Sequence, residues 1–132
     1  MKMEPVFHIS ASDPMPLYAQ LARAIRFAIA TQQLRAGDQL PTVRQLAVDL
    51  RINANTVARV YAELERAGMV ETRRGVGTFV RAHDHHTVNK RSLESEREFL
   101  KLVDRCVADA AALGFSIDEL IDHLASKLRK ET

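Results

Sequence analysis

Five stretches of this chain carry apolar residues at helical spacing, and between the third and fourth lies an alternating pattern broken by glycines. Leu17, Leu21, Ala24, Ile25, Ala28 and Ile29 recur every three or four residues, which predicts an amphipathic helix from the Pro14/Pro16 start to about Gln33. Gly37 and Pro41 stop it, and Thr42 with Gln45 three residues on offers a capping box for a second helix from about Val43. Val43, Leu46, Ala47 and Leu50 fall on one side of that helix, and Arg44, Gln45 and Asp49 on the others. After a tight turn at Arg51-Ile52, Asn53 caps a third helix that runs to about Ala67 and is stopped by Gly68. Its stripe is Val57, Val60, Tyr61 and Leu64; Asn55, Thr56, Arg59, Glu63 and Arg66 populate the other side. Met69 to Arg74 then alternates as a strand, Gly75-Val76-Gly77 turns, and Thr78-Phe79-Val80 returns as a second strand.

Two short helices, an outward polar face and a glycine-tipped hairpin between Gly37 and Val80 read as a winged helix-turn-helix, with the first helix lying across the other two. Asn53, Asn55, Thr56 and Arg59 at the start of the third helix are side chains that read base edges or hold phosphates from the major groove. Arg73 and Arg74 beside a glycine tip suit a narrow groove, where arginine displaces condensed counterions and glycine lets the backbone come close. Plainer readings stand beside these. Arg59 is spaced to pair with Glu63, Asn53 has a duty as a cap, Arg66 lies toward the far end of its helix, and Gly75 and Gly77 serve a turn in any case.

Beyond the hairpin, residues 82–91 hold His83, Asp84, His85 and His86 without apolar periodicity and read as a linker. Adjacent ligands on a linker rarely converge on one ion, so no metal site is assigned there. Phe99, Val103, Cys106, Ala110 and Leu113 then step by four, three, four and three, a heptad-like seam on a helix from Leu93 to Leu113 that ends at Gly114. Ser116 and Glu119 form a second capping box, opening a last helix striped by Ile117, Leu120, Ile121, Leu124 and Leu128. Two such helices alone are too small to bury their faces, and a second copy of the chain is the simplest partner. Dimerisation is therefore assigned to Phe99, Val103, Cys106, Ala110, Ile117, Ile121, Leu124 and Leu128, with core packing rather than redox sensing as the role of Cys106.

The elements Leu40-Pro41-Thr42-Val43-Arg44-Gln45-Leu46-Ala47, Asn53-Ala54-Asn55-Thr56-Val57-Ala58-Arg59-Val60-Tyr61, Leu64-Glu65-Arg66-Ala67-Gly68 and Gly75-Val76-Gly77-Thr78-Phe79-Val80 stand in order at set separations, and over about residues 14–81 they resemble the GntR family of bacterial transcription regulators. The Asn-x-Asn-Thr-Val helix and short C-terminal extension are most similar to its YtrA subfamily, whose members are dimeric repressors, often of transporter operons. Larger subfamilies carry a full ligand-binding or aminotransferase-like domain, for which this chain is expected to be too short. The resemblance implies DNA contacts at Arg44, Asn53, Asn55, Thr56, Arg59, Arg74 and Gly75. Ala54 departs from other branches, which often place an arginine there, so no operator sequence carries over.

Composition narrows the classes. With 132 residues, 46% hydrophobic and 27% charged, the chain has the make-up of a soluble globular protein with one modest core and an appendage. No signal peptide or membrane-spanning run is apparent, and a lone cysteine fits a reducing cytoplasm. The net charge of +2 hides an asymmetry: residues 1–91 hold 13 basic against 8 acidic residues, and 92–132 hold 6 against 9. The basic part carries the winged-helix pattern. No nucleophile-base pair, paired carboxylates or phosphate loop points to an enzyme.

The expectation is a mainly α chain with a small β-hairpin: an arm (1–13), a winged helix-turn-helix (14–81), a linker (82–91) and a two-helix region (92–132) for dimerisation and any effector. Its expected function is that of a cytoplasmic homodimeric repressor binding double-stranded DNA at a palindromic operator, without a cofactor or a membrane. The alternatives are a regulator sensing a ligand or metal between the C-terminal helices, and an assembly module without specific DNA binding.

Overall fold

The computed structural model describes residues 7–82 and 92–128. Backbone contacts divide the chain into two units, Met1–His83 and Asp84–Thr132. The first holds helices α1 (Leu17–Ala30), α2 (Val43–Leu50) and α3 (Ala54–Arg66), followed by strands β1 (Val70–Arg73) and β2 (Gly77–Val80). The second holds α4 (Leu93–Ala112) and α5 (Ile117–Ser126). The fold is mainly α with one antiparallel hairpin, as the periodicities predict.

Helix α1 stops sooner than its apolar pattern suggests, at Ala30 rather than near Gln33. The Thr31 hydroxyl donates to the Phe27 carbonyl at 2.8 Å, and Gln32 takes a left-handed φ of 63°. The Leu34 amide then bonds back to Ala28 at 3.0 Å, and Leu34 is buried. Burial of Leu34 wins over continuation of the helix. At α2 the Thr42 hydroxyl accepts from the Gln45 amide at 3.0 Å, so the cap forms. The reciprocal half of the expected box does not, because the Gln45 side chain donates instead to Asp49 at 2.8 Å.

Helix α3 begins where Asn53 caps it, its side-chain oxygen accepting from the Asn55 amide at 2.8 Å. The stripe is the centre of the core: Val57, Val60 and Leu64 are fully buried, against Leu21 and Ile25 of α1 and Val70 of β1. Each such aliphatic side chain contributes about 1.5–3 kcal/mol by leaving water. The wing pairs Val70 with Val80 and Arg73 with Gly77, so its turn is Arg74-Gly75-Val76 and Gly77 already belongs to the return strand. A third, unanticipated segment joins the outer edge of β2. Gln39 bridges to Phe79, the Leu40 amide donates to Thr78 and the Val80 amide to Asp38, both at 2.8 Å. The arm is also tied to this unit: Phe7 is buried in its core, and Gln20 exchanges two 2.8 Å hydrogen bonds with the backbone of Ser10.

In the second unit Ser92 caps α4 by accepting from the Ser95 amide, and Glu94 and Glu96 sit favourably at its positive end. The chain reverses at Gly114, whose φ of 91° suits glycine. Both arms of the Ser116–Glu119 capping box form. Helices α4 and α5 pack on each other, yet neither contains a buried residue. The run His83–His86 lies outside the described residues.

Candidate nucleic-acid interface

The outward side of α3 is polar from its cap. Asn53, Asn55 and Arg59 are exposed, and Thr56 is half-buried where the first turn meets the domain. The amide of Thr56 and the Asn53 side chain are both engaged in closing that turn, at 3.0 and 2.8 Å, whereas the side chain of Asn55 has no partner among the described residues. Arg59 does not pair with Glu63. Its guanidinium lies instead over the ring of Tyr18 in the first turn of α1, 3.9 Å from the centroid.

Two flanking elements add charge. Arg44 stands exposed in the first turn of α2, which packs on α3. On the wing the two neighbouring arginines differ. Arg73 is held by Glu71 at 2.9 Å and lies over the ring of Phe79, 4.4 Å from its centroid. Arg74 has no such hold among the described residues, and beside it Gly75 turns the tip with a φ of 78°. The wing is braced at both sides: Thr72 donates to Glu65 of α3 at 3.0 Å, and the Gln39 amide group donates to the Val76 carbonyl at 3.1 Å. Thus all seven residues singled out for DNA lie in the first unit, on α2, on α3 with its cap and on the wing; the side chains of Arg44, Asn53, Asn55, Arg59 and Arg74 are exposed and that of Thr56 is half-buried. Arg66 is exposed near the end of α3.

The eight residues assigned to dimerisation lie in the second unit, where Ala110 is half-buried and the other seven are exposed. Phe99, Ile117, Ile121, Leu124 and Leu128 are each about half exposed or more. Cys106 is exposed as well, so it does not pack in a core of its own chain. Sequence reasoning passed over the roles of Tyr18 and Gln39. For Tyr18 the available signal was an aromatic ring one position off the aliphatic stripe of α1. Among the described residues no cluster of His, Cys, Asp or Glu has the arrangement of a metal site, and no helix is long and apolar enough to cross a membrane.

A tri-helical core, a helix pair joined by a tight turn and a braced hairpin define a winged helix-turn-helix. The profile of bacterial regulatory proteins of the gntR family matches residues 17–80. The HTH-type transcriptional regulator YhcF of Bacillus subtilis (strain 168) is 37% identical over 107 residues, spanning 81% of this chain and 85% of YhcF. The HTH-type transcriptional repressor YtrA of the same organism is 31% identical over 115 residues, spanning 87% of this chain and 86% of YtrA. Among solved structures, YtrA from Sulfolobus acidocaldarius, a GntR-family transcription factor, superposes with a TM-score of 0.57 at 25% identity, covering 79% of this chain and 99% of that one. This chain belongs to the GntR family, and within it is YtrA-like. It is a transcription regulator, not an enzyme.

Proposed function

We propose that the chain acts in the cytoplasm as a homodimeric repressor that occupies a palindromic operator and so blocks a promoter. The observation that carries this reading is the outward half of α3, where Asn55 and Arg59 are exposed and Thr56 half-buried beside a fully buried stripe, and Arg59 forms no ion pair among the described residues. In the major groove those side chains present the donors and acceptors that discriminate bases, and Asn53 at the cap comes near the phosphates. Arg44 and the tip formed by Arg74 and Gly75 hold the flanking backbone, and their charge supplies the salt-dependent part of affinity.

The helical hairpin supplies the second half of the reading. Phe99, Val103, Cys106, Ala110, Ile117, Ile121, Leu124 and Leu128 form an apolar face with too little cover to be stable in water alone. The same face on a second copy satisfies it in a small twofold bundle. Two heads related by that axis match two half-sites about 34 Å or a multiple apart. Repression, rather than activation, is favoured because the relative YtrA is a named repressor.

Selection of bound sequences from a random duplex pool tests the reading. A recovered palindrome with half-sites one or two helical turns apart supports it. A pool that stays random after repeated rounds contradicts it.

A further inference from the structure

Tyr18 lies on α1, outside α3, yet its ring carries the guanidinium of Arg59 at 3.9 Å. We propose that Tyr18 is a positioning residue for operator recognition: its aromatic face holds Arg59 in one orientation, from which the edge of the guanidinium reaches DNA. The inference rests on the reading that Arg59 contacts the operator.

A long arginine side chain on an exposed helix face samples many rotamers, and each must be given up when it docks on a base or phosphate. Stacking on a ring settles that orientation beforehand. It uses the planar face of the guanidinium and leaves the N–H donors, which lie in the plane, directed to its rim. Tyr18 is itself half-buried in a helix packed on α3, so the platform is anchored by a different element from the one it serves. The contrast with Arg73 is informative. Arg73 also lies over a ring, but one of its in-plane donors is taken by Glu71. Arg59 has no hydrogen bond or ion pair among the described residues, and its rim is open. Stacked and paired, an arginine braces a wing; stacked and unpaired, it is aimed.

The test replaces Tyr18 in the full chain by phenylalanine and by phenylalanines of rising ring fluorination, which drain the ring face while leaving its shape nearly constant. Each variant is checked for an unchanged thermal transition and titrated against the selected operator, in the native and in the Arg59→Ala background. Tyr18→Phe should stay within about twofold of the parent, and progressive fluorination should weaken binding by about two- to fivefold. In Arg59→Ala the dependence on fluorination should vanish. Equal dependence in both backgrounds, no dependence in the native one, or tighter binding on fluorination overturns the proposal; the last would mean that the ring withholds Arg59. A chain that selects no operator defeats the functional reading and this inference with it. A chain that binds its operator equally well with Arg59→Ala defeats this inference alone.

Discussion

The hydroxyl of Tyr61 donates a 2.7 Å hydrogen bond to the carbonyl of Pro41, joining the middle of α3 to the residue that precedes the cap of α2. This bond sets the two helices of the motif against each other at the end where Arg44 stands. Tyr61→Phe keeps the ring in the core and removes the donor from a part-buried carbonyl. The expected cost is about 1 kcal/mol, read as a lower urea midpoint with an unchanged slope. An unshifted midpoint would show that water replaces the donor.

Gly77 opens β2 with a φ of 141°, and a side chain there would meet the amide end of Gln39. The exposed Gln39 side chain is flexible and would have to give up its hydrogen bond to Val76 to move aside, whereas the backbone has no such escape. Gly77→Ala is expected to cost on the order of 1–3 kcal/mol through the left-handed φ. Thermal denaturation of the full chain reads it directly, and Gly75→Ala, at φ 78° in open space, should cost less.

Much of the first unit was legible because its signals are local. Asn53 and Thr42 cap where their spacing says, and Val57, Val60 and Leu64 are buried as the stripe predicts. What escaped depends on partners remote in sequence. Burial of Leu34 in the core shortens α1, and Gln39 bridges to Phe79, about forty positions away. Arg59 meets Tyr18 on another helix rather than Glu63 one turn on, because a flat ring offers a wide face and no entropic demand on a second long side chain. The polar identity of the outward face was readable; the pairing of each polar group was not. In the second unit the apolar seam was readable as a pattern, but a single chain leaves it exposed.

Two neighbouring arginines on the wing should behave differently. Arg74→Ala is expected to weaken binding to operator and scrambled duplexes alike and to lower the salt slope of log K by about one. Arg73→Ala removes the contacts to Glu71 and Phe79 and should act on wing stability with little change in that slope. Paired salt titrations separate them, and equal slopes for both variants would count against the assignment of Arg74.

Charge on the helical hairpin tests the proposed dimer. Ile121→Asp and Leu124→Asp each place a carboxylate on a face that dimerisation would bury, where an unpaired charge is costly. Sedimentation at micromolar protein should show monomer for the variants and dimer for the parent. Their helical content should persist while operator binding falls at least tenfold, because two heads no longer bind as one. Dimeric variants would move the interface elsewhere.

On the proposed reading, the outward half of α3 discriminates base sequence. The most direct measurement is the affinity of the native chain and of Asn55→Ala for the selected operator and for a scrambled duplex of equal length, across a range of salt. Sequence reading predicts a native preference of about 10³-fold or more for the operator at physiological salt, and a loss of that preference in Asn55→Ala with scrambled binding unchanged. Superimposed operator and scrambled curves for the native chain, or a preference that survives Asn55→Ala intact, would contradict it.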